Sequence, residues 1–230
     1  MLTFPNIIIA MITPFNQDGS VNYEAAVELA KKYADEGSGI LLGATTGEGA
    51  VMTEEEKLKL FKVVADELKG KTLIMGNVGT NNTAESIAIA KKAEATGVDL
   101  LLCIVPYYNK PNQDGCYAHF AAIAKATSLP FFIYNVPGRT GGSIEPETVC
   151  RLARDYDNII GLKDASASLD FAGYVAANAP EGFHLYSGED NLTLPIVAVG
   201  GEGVITVAGH VIGKEMDAMI QAYKDGDVKK

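Results

Sequence analysis

Eight short apolar runs alternate with eight longer segments of helical periodicity along this chain, and that alternation leaves few architectures open. The runs are Asn6 to Ile12, Ile40 to Gly43, Thr72 to Asn77, Asp99 to Val105, Phe131 to Tyr134, Asn158 to Lys163, Phe183 to Ser187 and Gly203 to Val207. Asn22 caps a helical pattern through Asp35, and Thr53 with Glu56 forms a capping box for a helix to about Leu68. Further helices are expected over Thr83 to Ala95, stopped by Gly97, and over Asp114 to about Thr127, Glu145 to Asp155, Leu169 to Ala177 and Lys214 to Lys224. Leu192 to Val199 fits strand or helix by pattern, and the spacing of its neighbours decides for helix. Asn135 to Gly142 reads as a loop. Strand-helix units in this number predict a single domain over residues 1–230, a closed (β/α)8 TIM barrel, with a doubly wound open sheet as the alternative.

The polar residues discriminate between the two. Thr13, Thr45, Thr46, Asn77, Tyr108, Tyr134, Arg139, Lys163, Ser187 and Thr206 come at or just after the ends of different runs, and a barrel would converge them on one mouth. Composition narrows what that mouth would meet. The net charge of -10, with scattered basic residues, disfavours nucleic acid and anionic membranes and favours small diffusible partners. Cys103, Cys116 and Cys150 show no CxxC spacing and suit a reducing cytoplasm. No apolar run reaches the length of a membrane span, and no signal peptide is read. His119, His184 and His210 are far apart without HExxH, so no metal is expected. The glycine clusters at Gly76 to Gly79 and Gly200 to Gly203 lack nucleotide-binding spacing and read as strand-end turns, so no nucleotide is expected.

Lys163 is the sharpest single residue. A lysine that closes an apolar strand is either drawn out to solvent or held as an amine nucleophile able to form an imine with a keto acid. Tyr134, ending the neighbouring run, can give and take a proton, or can simply pack its ring and wet its hydroxyl. Thr45-Thr46-Gly47 offers hydroxyls and backbone N–H groups to a carboxylate, or is a polar turn before a helix. Arg139 can grip a second carboxylate bidentately, or is an ordinary loop arginine.

The strings Gly-Ala-Thr-Thr-Gly-Glu-Gly (43–49), Pro-Tyr-Tyr-Asn-Lys-Pro (106–111), Tyr-Asn-Val-Pro-Gly-Arg-Thr-Gly (134–141) and Ile-Ile-Gly-Leu-Lys-Asp (159–164), in this order, resemble the 4-hydroxy-tetrahydrodipicolinate synthase (dihydrodipicolinate synthase) family. That family lies among the pyruvate-dependent class I aldolases that include N-acetylneuraminate lyase. The resemblance implies a Schiff base between Lys163 and pyruvate, proton relay by Tyr134, and Thr45 linking that tyrosine to Tyr108, which would reach from one subunit into the next. It implies Thr46 and Gly47 for the pyruvate carboxylate, Arg139 for the carboxylate of L-aspartate 4-semialdehyde, and Gly188 and Ile205 as lining of the pyruvate pocket. The implied lyase is a cytoplasmic homodimer or homotetramer of lysine and diaminopimelate biosynthesis, without metal or organic cofactor.

Departures from the pattern carry expectations of their own. The chain stops at Asp227-Val228-Lys229-Lys230, short of the family's C-terminal helical layer, which would weaken or alter the oligomer or leave a barrel without turnover acting as a subunit partner. Val207-Ala208-Gly209-His210 and Gly188-Glu189-Asp190 differ from the family's usual strings. Glu54 and Lys57 stand where relatives inhibited by lysine carry histidines, while Asn81 and Glu85 remain, so weak or absent inhibition by lysine is expected.

Overall fold

The computed structural model describes residues 2–227 and 229. Met1, Val228 and Lys230, which the expected domain 1–230 and its closing segment include, lie outside the described residues. The strands are β1 (Ile7–Ala10), β2 (Gly39–Leu42), β3 (Ile74–Asn77), β4 (Leu100–Ile104), β5 (Phe131–Asn135), β6 (Ile159–Asp164), β7 (His184–Ser187) and β8 (Gly203–Thr206). The helices are α1 (Tyr23–Asp35), α2 (Glu54–Leu68), α3 (Thr83–Ala93), α4 (Gln113–Ala124), α5 (Pro137–Thr140), α6 (Pro146–Asp155), α7 (Leu169–Asn178), α8 (Thr193–Ala198) and α9 (Gly209–Lys224). Among the described residues the sheet runs β1-β2-β3-β4-β5-β6-β7-β8 and closes, which is the (β/α)8 barrel and excludes the open sheet, whose order would reverse at a switch point. No helix among the described residues is long and apolar enough to cross a membrane.

The chain divides into two compact units. The first comprises residues up to Asn77, Lys92–Leu100 and the chain from Ile205 onward. Here β1 pairs in parallel with β2, and β2 with β3. All four residues of β1 and of β2 are buried, as befits strands covered on both faces. Asn22 caps α1 by accepting from Ala25 N, and the Thr53/Glu56 box closes on α2 as its spacing predicts. Leu60, Phe61, Val64, Ala65 and Leu68 bury one stripe of α2, and the Phe61 ring fills the space that a side chain at Gly76 would need, 2.9 Å from an added Cβ.

The second unit comprises Val78–Lys91 and Leu101–Val204. Parallel ladders join β4 to β5, β5 to β6, β6 to β7 and β7 to β8. Two expectations need correction. The stretch 135–142 is not all loop: Pro137 at the first helical position and Gly141 at φ 70° bracket the single turn α5. The last helix starts at Gly209, five residues before Lys214, because it continues through a bend at Ile212 (φ -124°, ψ 30°).

Candidate active site

Register builds the lysine's surroundings in the second unit. Tyr134 of β5 pairs with Lys163 of β6, which pairs with Tyr186 of β7. In-register residues of parallel strands share a face, so the lysine stands between two tyrosines. Two residues earlier the same face carries Phe132, Gly161 and His184, where the Phe132 ring stacks on the His184 imidazole at a centroid distance of 6.1 Å. A Cβ at Gly161 would lie 2.3 Å from that ring, so glycine is what leaves room for it.

Lys163 is 5% exposed, with Nζ 4.4 Å from the centre of the Tyr134 ring. Burial pulls its pKa down to about 8, against the opposing pull of the Asp190 and Glu189 carboxylates and with some help from the Arg139 guanidinium. Near neutral pH a useful share of the side chain is therefore a neutral amine, which is the nucleophilic form. Gly188 packs against the lysine stem: an added Cβ would sit 3.2 Å from Lys163 Cε and 2.8 Å from Ala165 Cβ. Tyr186 is fully buried, and burial holds its phenol above the ordinary range and hence neutral.

On the opposite face of the same strands lies a row of short polar residues, Asn135, Asp164 and Ser187, all fully buried. Each fastens the loop that follows its own strand. Asn135 Oδ1 accepts from Ser143 Oγ at 3.2 Å, and Asp164 accepts from Ser166 N at 3.1 Å and Ser166 Oγ at 2.9 Å. Ser187 Oγ donates to the Glu189 carbonyl at 2.8 Å and accepts from its N–H at 3.2 Å. Burial raises the Asp164 carboxyl to about pH 6 despite those donors. This row corrects the sequence expectation: Ser187 was expected at the mouth and stands instead on the face away from Lys163, beside Asn135 and Asp164, which were not named as site residues. The available signal was its position, one residue after Tyr134, Lys163 and Tyr186, where a period of two turns side chains to the other face.

Arg139 and Tyr108 lie exposed in the same unit, the first on α5 and the second on the loop after β4. Arg139 is the third residue of α5, and Tyr108 is 87% exposed. Tyr108 and Lys110 adopt left-handed backbone at φ 71° and 45°, a conformation that side chains resist. The Tyr108 N–H donates to the Thr140 carbonyl at 3.1 Å, which ties the tyrosine loop to the end of α5.

In the first unit, Thr45 is exposed, Thr46 half-buried and Gly47 buried within the turn after β2. Neighbouring strand ends hold this turn by its backbone: Thr13 Oγ1 donates to the Gly47 carbonyl at 2.6 Å, and Asn77 Nδ2 to the Gly43 carbonyl at 2.9 Å. A Cβ at Gly47 would meet the Met11 carbonyl at 2.7 Å, so the turn needs glycine there. Ile205 of β8 is 1% exposed. Glu54 pairs with Lys92, and Lys57 is 7% exposed. The structure thus gathers Lys163, Tyr134 and Gly188 into one cluster with Arg139 acting on it by charge, and Thr45, Thr46 and Gly47 into one turn. Among the described residues no group of three or more His, Cys, Asp or Glu is arranged to hold a metal ion.

Fold and cluster together define a class, that of (β/α)8 barrel proteins with a desolvated amine at the carboxyl end of a strand. Residues 3–230 match the dihydrodipicolinate synthetase family, and the chain belongs to that family. It is 49% identical to the 4-hydroxy-tetrahydrodipicolinate synthase of Listeria innocua over 97% of this chain and 77% of that protein. Its fold superposes on the dihydrodipicolinate synthase of Bacillus anthracis with a TM-score of 0.96 at 41% identity, covering 100% of this chain and 78% of the other. A crystal structure of the Cyanidioschyzon merolae synthase with lysine bound is similar at TM-score 0.94 and 43% identity, covering 96% and 76%.

Proposed function

We propose that this chain is a lyase that condenses pyruvate with L-aspartate 4-semialdehyde to give 4-hydroxy-tetrahydrodipicolinate. The observation that carries the reading is the buried Lys163, its pKa drawn down to about 8, standing on β6 between Tyr134 and Tyr186. In this reading the neutral amine adds to the pyruvate carbonyl and loses water to form an imine. A proton then leaves the pyruvate methyl group, and the resulting enamine attacks the aldehyde carbon. The amino group of the semialdehyde finally adds to the imine carbon, which closes the ring and releases Lys163. Tyr134 relays the protons through Thr45, and Tyr108 completes the relay from a neighbouring copy in a homodimer or homotetramer. Thr46 and the Gly47 backbone hold the pyruvate carboxylate, Arg139 receives that of the semialdehyde, and Gly188 and Ile205 line the pyruvate pocket. The similar proteins bear the synthase name, which favours condensation with the semialdehyde over cleavage of a sugar keto acid. The reaction belongs to the cytoplasm, where pyruvate is formed and consumed.

Borohydride reduction in the presence of pyruvate, followed by peptide mass spectrometry, tests the mechanism. A pyruvyl adduct confined to Lys163 is expected. A folded protein that gives no adduct, or one that carries it on another lysine, overturns the assignment.

A further inference from the structure

Imine chemistry makes opposite demands on the nitrogen of Lys163. It attacks pyruvate as a neutral amine, yet the imine draws electrons from the pyruvate methyl carbon only when that nitrogen is protonated and positive. Burial disfavours both cations alike, so a site relying on burial alone would gain attack and lose enamine formation. A fixed negative charge beside the nitrogen reconciles the two.

The turn after β7 carries two carboxylates, Glu189 and Asp190. Gly188 lies against the lysine stem, and its N–H donates to the Asp164 carbonyl at 2.6 Å, which fastens the turn to β6. Ser187, fully buried, grips Glu189 at both its N–H and its carbonyl. Thr193 Oγ1 donates to the Asp190 carbonyl at 2.9 Å, and one Asp190 carboxylate oxygen is shielded from solvent. The titratable and charged groups around the lysine are Tyr134 from β5, Tyr186 from β7, Arg139 from α5, and Asp190 with Glu189 from this turn, while Asp164 lies on the far face of β6. Of these, Asp190 and Glu189 favour a cation on the nitrogen and Arg139 opposes it.

We infer that Asp190 and Glu189 are the counter-charge of the protonated imine on Lys163, and that Ser187 is the positioning residue that holds their turn. The inference rests on the imine reading above. It assigns the acidic pair a role in the step after attack, where the positive charge is needed.

Two readouts on the full chain separate this from a structural role: borohydride trapping with pyruvate across a pH series, and exchange of the pyruvate methyl hydrogens in deuterium oxide followed by NMR. Asp190→Asn should form the adduct at lower pH than the parent protein, while methyl exchange at pH 7 falls about tenfold, the change that one pKa unit gives. Glu189→Gln should move both readouts the same way by less. Ser187→Ala should follow them and add nothing further in the Asp190→Asn, Glu189→Gln background. The partly exposed carboxylates carry the test on their own if Ser187→Ala melts early. An adduct in the parent protein, with the pH midpoint and exchange unmoved in both carboxylate variants, overturns the inference and leaves the imine reading standing. Parallel loss of trapping and exchange in those variants also overturns it, since it marks damage to packing. No adduct in the parent protein at any pH fails the imine reading itself, and this inference with it.

Discussion

The amine end and the arginine end of the second unit are built in opposite ways. Lys163 is carried by a six-residue strand, 5% exposed, with paired strands on both sides. Arg139, on the single turn α5, and Tyr108, on a loop at 87% exposure, stand in the open, and their geometry comes from that turn, left-handed backbone and a few hydrogen bonds between short segments. The contrast fits the roles proposed for the two ends. A nucleophile needs a low dielectric and a fixed bearing, which only covered strands give. Groups that meet an entering substrate or a neighbouring copy need to be reachable, and loops give that.

The largest expected effect breaks the comparison at its buried end. Lys163→Met should abolish both the pyruvyl adduct and turnover, a loss of about three orders of magnitude or more, read by mass spectrometry and a coupled assay. Residual turnover at a tenth of the parent rate would mean that chemistry does not run through this nitrogen. Tyr134→Phe should still form the adduct but lower turnover about 10²- to 10⁴-fold, the usual range for a lost proton-transfer group. Arg139→Ala moves the experiment to the exposed end: the KM for the semialdehyde should rise about tenfold or more while trapping with pyruvate alone is unchanged. An equal rise in the KM for pyruvate would erase the distinction between the two ends. A subtler measurement is the pH dependence of trapping in the parent protein. The lysine is protonated below its folded pKa of about 8, so the rate should climb about tenfold per pH unit up to that point and level off above it. A midpoint near the ordinary lysine value would contradict the desolvated environment.

Much of this was legible in the sequence because local chemistry and the fold agree. Asn22 and the Thr53/Glu56 pair cap the helices they were expected to cap, and the apolar run ending in Lys163 is the buried strand that its composition suggested. The turn α5 was hidden in Pro-Gly-Arg-Thr-Gly, whose proline and glycine read as loop, although a proline at the start and a glycine just past the end also bracket a helix. The early start of α9 was masked by Gly209 and Gly213, two glycines inside a helix that packs against Ile9. Ser187 was legible as a strand-end polar residue, but Asn135 and Asp164 were passed over because each residue acts through the loop of its own strand, and the paired register is what shows that the three stand side by side.

Gly161 and Phe132 have a consequence for how this sequence can change over generations. The missing side chain at one position is the seat of the ring at the other, so the two cannot drift independently: a lineage that acquires a methyl group at 161 must give up bulk at 132. Gly161→Ala alone should therefore lower stability by about 1–3 kcal/mol in denaturant melts, and Phe132→Leu should restore part of it. Because the ring also rests on His184 and neighbours Tyr186, such an exchange would be felt by the strand on the far side of Lys163, so position 161 ties the packing of three strands into one inherited unit.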